Sequence, residues 1–220
     1  MSHANRTYLP AAGLGLFLPL YDPLVKLLGA DRARGKLFEQ ASVQPHHRVL
    51  DIGCGTGTFA VALKRSLPGV EVIGLDPDPR ALARSRRKAE RAAVSIRFDQ
   101  GFANALPYAD AHFDRVFSSL MFHHLAHDAK LETLREVRRV LRPGGSLHLL
   151  DFEQESPHSH NPLARWIHAS ERMHDNRRER ILEWMHEAGL VEPRVLDSER
   201  PVFGKLVYVT ARTAGSDTTH

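Results

Sequence analysis

The sequence predicts an α/β protein built on a doubly wound sheet with parallel pairing, and three observations carry that prediction. From about residue 47 onward, short apolar runs alternate with longer segments of helical period. The runs end in Gly, Pro or Asp, as buried strands do. The segments between them are long enough for the right-handed crossovers that parallel neighbours require.

Residues 47–52 form the first run, with acid and glycine at its end. A helix over 58–67 follows and is stopped by Pro68-Gly69. Residues 71–75 are the second strand. Asp78 then serves as N-cap with Pro79 at the first helical position. That helix reaches about residue 92, with Leu82, Ser85 and Ala89 inside and Arg80, Arg84, Arg87 and Arg91 outside. Residues 94–98 and 113–118 are the third and fourth strands, the fourth introduced by Asp110. Asp128 caps a helix whose Leu131, Leu134, Val137 and Leu141 make one apolar stripe. Pro143-Gly144-Gly145 ends it, and 146–150 is the fifth strand. The pattern breaks over 151–176, which holds Pro157, Pro162 and four histidines. A helix then runs to residue 186, closed by Gly189 at C′. Residues 191–197 and 206–211 are two final strands, which makes seven. Residues 1–40 read as an N-terminal cap segment, 41–212 as the main domain with an insertion or lid at about 152–176, and 213–220 as a frayed tail.

The bulk properties narrow the function. A length of 220 residues suits one domain with room for a lid. The net charge of +4 permits an anionic partner without requiring one. Cys54 is the single cysteine, so an intrachain disulfide, a four-cysteine zinc site and a Cys-x-x-Cys redox pair are all excluded. That usage suits a reducing cytoplasm. Residues 8–29 are apolar, but Pro10, Pro19, Pro23, Asp22 and Lys26 interrupt them. A spanning helix needs roughly 20 apolar residues with few charges. As a secretory leader the stretch offers Arg6 alone and no small-residue cleavage site. It reads as a segment packing over the domain, so the protein is expected in the cytoplasm. Contact of Leu14, Leu16, Phe17, Leu18 and Leu20 with an anionic membrane surface is the less favoured alternative.

The chemistry lies in Asp51-Ile52-Gly53-Cys54-Gly55-Thr56-Gly57, a loop between a buried strand and a helix. Its glycines supply positive φ and let a ligand approach the backbone. The helix after it points free N–H groups at that ligand. A dinucleotide fingerprint reads G-x-G-x-x-G and sets pyrophosphate on the helix N-terminus. Here the spacing is G-x-G-x-G, and Asp51 stands just before it. A carboxylate there repels pyrophosphate and suits a cation. S-adenosylmethionine carries an ammonium and a sulfonium, so Asp51 would pair with the ammonium while loop amides take the carboxylate. Asp76, ending the second strand, can accept from both hydroxyls of a ribose. It supports a nucleoside without choosing between cofactors, and it can equally be read as a turn acid before Pro77.

With these residues in hand, the chain resembles the class I S-adenosylmethionine-dependent methyltransferases, in the branch that holds the ubiquinone and menaquinone C-methyltransferases and many small-molecule enzymes. The matching blocks are 49–57, Gly74-Leu75-Asp76, Ala105-Leu106-Pro107-Tyr108, Phe113-Asp114-Arg115-Val116, His123-His124-Leu125 and 136–145, in the right order. The resemblance implies a Rossmann-like seven-stranded sheet whose last strands run antiparallel at one edge, with S-adenosyl-L-methionine as cofactor. Asp51, Gly53, Cys54, Gly55 and Gly57 would hold its methionine part and Asp76 its ribose. Pro77 would lie beside the adenine, Ser118 and Ser119 near the sulfonium, and Tyr21 would close over the methionine end. One departure stands out. Phe102, after Gly101, occupies the position where the branch usually has an Asp that bonds the adenine amino group. That contact would have to come from backbone, Gln100 or Asn104.

Other readings remain beside this one. His123 and His127, four apart, and His158 with His160 invite a metal site, but supporting Cys or acid spacing is lacking and none is expected. His123 or His124 faces the methyl acceptor as a base, or else packs or caps. No Asp-Pro-Pro-Tyr or Asn-Pro-Pro-Tyr run follows the fourth strand, and no basic, aromatic nucleic-acid surface is evident. The acceptor is therefore a small molecule or a lipid. A phospholipid N-methyltransferase and an inactive methyltransferase-like scaffold are the alternatives.

Overall fold

The computed structural model describes residues 30–153, 176–201 and 204–215. The helices are α1 (Ala30–Gln40), α2 (Thr58–Ser66), α3 (Pro79–Arg91), α4 (His127–Val140) and α5 (Arg178–Glu187). The strands are β1 (Arg48–Ile52), β2 (Glu71–Asp76), β3 (Arg97–Gln100), β4 (Phe113–Ser119), β5 (Leu141–Phe152), β6 (Val191–Glu199) and β7 (Leu206–Arg212). They make one seven-stranded sheet in the order β3-β2-β1-β4-β5-β7-β6. β1 to β5 pair in parallel. β7 runs antiparallel to both neighbours, so it is the reversed strand, and β6 outside it forms the edge. Strand order reverses between β1 and β4, the kind of point at which open α/β sheets bind ligands beyond the carboxyl ends of their strands.

Alternation along the strands sorts the core into two layers. Val49, Val72, Leu206 and Tyr208 face one cluster with α1, α2 and α3. Leu50, Ile73, Val207 and Val209 face the other with α4 and α5. Trp184, Phe113, Phe117 and Phe122 are among the largest fully buried side chains, and burial stabilises by about 1.5–3 kcal/mol for each Phe-sized group.

Local chemistry explains most boundaries. Asp78 caps α3 by accepting from the Arg80 amide at 2.8 Å, with Pro79 following. Leu82, Ser85 and Ala89 form its buried face. Gly189, at φ 80°, turns the chain out of α5. Three expectations need correction. β3 begins at Arg97 rather than residue 94, because Ala93 adopts φ 52° and the Val94 amide still bonds Ala89 O at 3.1 Å. Asp128 lies inside the first turn of α4, whose N-cap is Ala126. Pro143-Gly144-Gly145 is absorbed into β5 as an irregularity where the register shifts between Phe113 and Arg115. Among the described residues, no helix is long and apolar enough to cross a membrane. The expected segment 8–29 and almost all of the insertion lie outside the described residues.

Candidate active site

The register places the candidate residues at one edge of the sheet. Asp51 pairs with Gly74 and Ile52 with both Leu75 and Ser118. Asp76 pairs with Gln100 and Ser119 with Leu150. Asp51, Asp76, Ser118, Ser119 and Asp151 thus collect where β1, β2, β4 and β5 end.

The loop after β1 is held by its own backbone. The amides of Gly53 and Cys54 both donate to Leu75 O, at 2.8 and 3.0 Å, and that of Gly57 donates to Cys54 O. The Gly55 amide donates to Asp76 Oδ2 at 2.8 Å. These four amides are all engaged inside the protein. The three glycines also serve different ends. All have positive φ. A Cβ on Gly53 would sit 2.3 Å from Met121 Cγ, and one on Gly57 would sit 2.7 Å from Ser85 Cβ. At Gly55 a Cβ would meet nothing within 4 Å. Only Gly55 therefore presents open backbone to a ligand. The Cys54 thiol turns inward against Gly74, and burial pushes it up, with Asp51 and Asp76 adding to the effect. Only its backbone belongs to the loop surface.

Asp51 is 1% exposed, and its Oδ2 has no hydrogen-bond partner among the described residues. Burial pushes its carboxyl up to about 7, against the pull of Arg34, while Asp76 raises it further. A buried anion without hydrogen-bond partners is costly and is resolved by a cation or a proton. Asp76 differs. Burial raises it too, but the amides of Gly55 and Asp78 hold its two oxygens and lower it. Each oxygen keeps a further lone pair for a ribose hydroxyl. Arg34, which the sequence did not single out, reaches this edge from α1. Its Nε donates to Ser119 Oγ at 3.3 Å, and its charge acts on Asp51. Ser118 Oγ is buried with no partner among the described residues.

After β3, where adenine is expected, Phe102 forms a bridge with Ala105, and Gly101 has its amide on Asp76 O at 3.3 Å. Gln100 donates to Pro77 O at 3.1 Å, which keeps its amide beside the expected adenine position. Asn104 donates to Glu132 at 2.7 Å and so is tied to α4 instead. Tyr21 lies outside the described residues.

Past β4 the chain turns at Leu120, a non-glycine residue with φ 56°. This carries Met121 over Gly53 and leads into a short turn, Phe122–His124. There the His123 ring meets Asp151, the buried acid near the end of β5. Nδ1 and Asp151 Oδ1 are 2.5 Å apart, and the His123 amide donates to Asp151 Oδ2 at 2.8 Å. The rings of His123 and His124 lie 4.0 Å apart. Nothing in the sequence linked Asp151 to His123, 28 residues earlier. His127 instead packs edge-on to Trp184. Among the described residues, no group of three or more His, Cys, Asp or Glu is disposed to hold a metal ion. His158 and His160 lie outside them. A cavity of about 280 Å³ lined by Lys64, Glu71 and Arg97 sits at the opposite, amino-terminal end of β2, away from these residues.

A reversed strand next to the edge, a glycine loop after β1 and acids ending β1 and β2 define the class I methyltransferase architecture. Residues 49–145 match a family model described as a methyltransferase domain. The demethylmenaquinone methyltransferase of Deinococcus radiodurans is 43% identical over 137 residues, covering 61% of this chain and 56% of that protein. Its counterpart in Thermus thermophilus is 43% identical over 137 residues, with 61% of each chain covered. This chain therefore spans about three-fifths of the length of the curated relatives it matches. Among solved structures, a SAM-dependent methyltransferase from Aquifex aeolicus superposes with a TM-score of 0.70 at 19% identity, over 90% of this chain and 97% of that one. The [4+2]-cyclase SpnF shares the fold with a TM-score of 0.67 at 20% identity, over 84% and 82%. The fold alone thus leaves the chemistry open. The family implies S-adenosylmethionine as cofactor.

Proposed function

We propose that this protein transfers a methyl group from S-adenosylmethionine to a small, quinone-like aromatic acceptor. The observation that carries the proposal is the buried Asp51 carboxylate just before the glycine loop, whose Oδ2 has no hydrogen-bond partner among the described residues. An orphaned anion at that place fits an ammonium group and opposes a pyrophosphate. The acceptor class is taken from the two demethylmenaquinone methyltransferases to which the chain is similar.

When bound, S-adenosylmethionine supplies an electrophilic methyl carbon on a sulfonium. Asp51 would hold its ammonium, and Arg34 would take the carboxylate that the spent loop amides cannot. Asp76 would accept from the ribose hydroxyls while keeping the loop closed through Gly55. Pro77, Gly101 and Phe102 would pack on the adenine, and Ser118 and Ser119 would face the transfer point. These contacts act by alignment, because much of the rate of an in-line displacement comes from holding two reactants near contact. One of His123 and His124 would face the acceptor.

The test supplies methyl-labelled S-adenosylmethionine with a panel of hydroquinones, amines and anionic phospholipid vesicles. Label entering a hydroquinone supports the proposal. Label entering phospholipid alone, or no transfer by protein that binds the cofactor, would overturn it.

A further inference from the structure

We infer that Asp151 is a positioning residue that makes His123 the proton acceptor of the transfer, and that the methyl acceptor carries a phenolic hydroxyl. The chemistry rests on the methyl-transfer proposal above; the pairing rests on geometry.

Asp151 is fully buried, yet every contact it makes is with a donor. Its Oδ2 accepts from the His123 amide at 2.8 Å, and its Oδ1 accepts from the Phe152 amide at 2.7 Å. Two backbone donors would satisfy a purely structural acid. The third contact, 2.5 Å from Oδ1 to His123 Nδ1, is short even for a charge-assisted bond. A carboxylate only accepts, so the ring donates from Nδ1, and in the neutral ring the lone pair then lies on Nε2. One carboxylate thereby grips both the backbone and the ring of the same histidine. Phe152 packs edge-on to that ring at 5.1 Å, and His124 lies against it from the same turn. Only a tenth of the His123 side chain stays exposed. The result is an imidazole with its tautomer and orientation fixed, at the carboxyl ends of β4 and β5 beside the point where strand order reverses. Asp151 sets the ring of His123. His124 is its neighbour in the turn.

Such a base is of use when the acceptor must lose a proton, which a hydroquinone or phenol does. The acceptor O–H bond breaks, its proton passes to Nε2, and its electron pair stays with the acceptor. That pair forms the new bond to the methyl carbon, at oxygen or, through the ring, at the carbon beside it. In the second case the hydrogen on that carbon returns to the oxygen. The carbon–sulfur bond breaks, with its pair left on sulfur. One proton is released overall, and Asp151 stabilises the imidazolium that carries it.

The experiment follows methylation of 1,4-dihydroxynaphthalene bearing a short prenyl chain, kept reduced, by wild type, Asp151→Asn, His123→Ala and the double variant. Asp151→Asn is expected to lower kcat by about 10²-fold or more, the scale of general-base catalysis. The KM for the probe and the Kd for S-adenosylmethionine should stay within about threefold, and Asp151→Asn should cost less than about threefold once His123 is Ala. Nitrogen NMR of histidine-labelled wild type without cofactor should place the ring proton on Nδ1. An equal loss from Asp151→Asn with and without His123, or a proton on Nε2, would overturn the pairing. Should Asp151→Asn fail to fold, the wild-type tautomer and recovery of His123→Ala by added imidazole decide in its place. Cofactor binding without methylation of the probe would overturn the phenolic acceptor. Absence of cofactor binding would instead strike the methyl-transfer proposal and leave the tautomer result standing.

Discussion

Replacing Asp51 with Asn should make the cofactor-free protein more stable at neutral and alkaline pH and less able to hold its cofactor. The carboxyl is buried, and that burial raises it from 3.8 to about 7. An acid raised in the native state favours folding while it is protonated. Its contribution is whole below about pH 4 and is lost as pH climbs through about 7. At about 1.4 kcal/mol per pH decade, ionised Asp51 costs about 4 kcal/mol above that range. A buried Asn amide without a full set of partners costs about 1–3 kcal/mol in return. The net gain at about pH 8 is on the order of 1–3 kcal/mol, a Tm rise of roughly 2–12 °C for a chain of this size. At about pH 4 the gain should vanish. Affinity for S-adenosylmethionine should fall about 10- to 150-fold, the value of a charge-assisted hydrogen bond of about 1.5–3 kcal/mol. Scanning calorimetry across this pH range, with cofactor titration on the same samples, reads all three quantities. A variant that melts below wild type at about pH 8, or gains equally at about pH 4, would refute the buried-carboxylate reasoning.

Three further outcomes follow from the same geometry. Gly57→Ala puts a Cβ 2.7 Å from Ser85 Cβ in a positive-φ residue, and should cost about 2–5 kcal/mol in denaturant unfolding. Gly55→Ala meets no neighbour within 4 Å and should cost only about 1–2 kcal/mol, yet weaken cofactor binding in calorimetry because its methyl occupies the open face. His148, dragged by burial to about 3, is neutral in the native state, so its contribution is whole above pH 6.5 and is lost as pH falls towards about 3. His148→Gln should therefore flatten the acid side of the stability profile, measured as urea midpoints from about pH 7 to about pH 4.

The parts legible in the sequence were those written in neighbouring residues. Asp78-Pro79 names a helix start because the cap and the first turn are local, and the spacing of Leu82, Ser85 and Ala89 names the face α3 buries. Asp51 ahead of G-x-G-x-G names a strand end followed by a glycine loop for the same reason. What stayed hidden depended on distant backbone. The early start given to β3 came from Ala93, which takes the left-handed turn usually left to glycine and so carries no signal. Asn104 looked free to reach an adenine, but Glu132 on α4 claims it. The loop amides looked available until the close approach of Leu75 O and Asp76 showed them spent. Arg34 and Asp151 lie on α1 and β5, and only the sheet order brings them to Asp51 and His123.

The central claim is that the acid before the glycine loop selects a cationic methyl donor. Calorimetric titration of the wild-type protein with S-adenosylmethionine and, separately, with NAD tests it most directly. The account predicts saturable binding of S-adenosylmethionine, lost in large part in Asp51→Asn, and no binding of NAD. Binding of NAD, or S-adenosylmethionine affinity that is the same in Asp51→Asn, would contradict it.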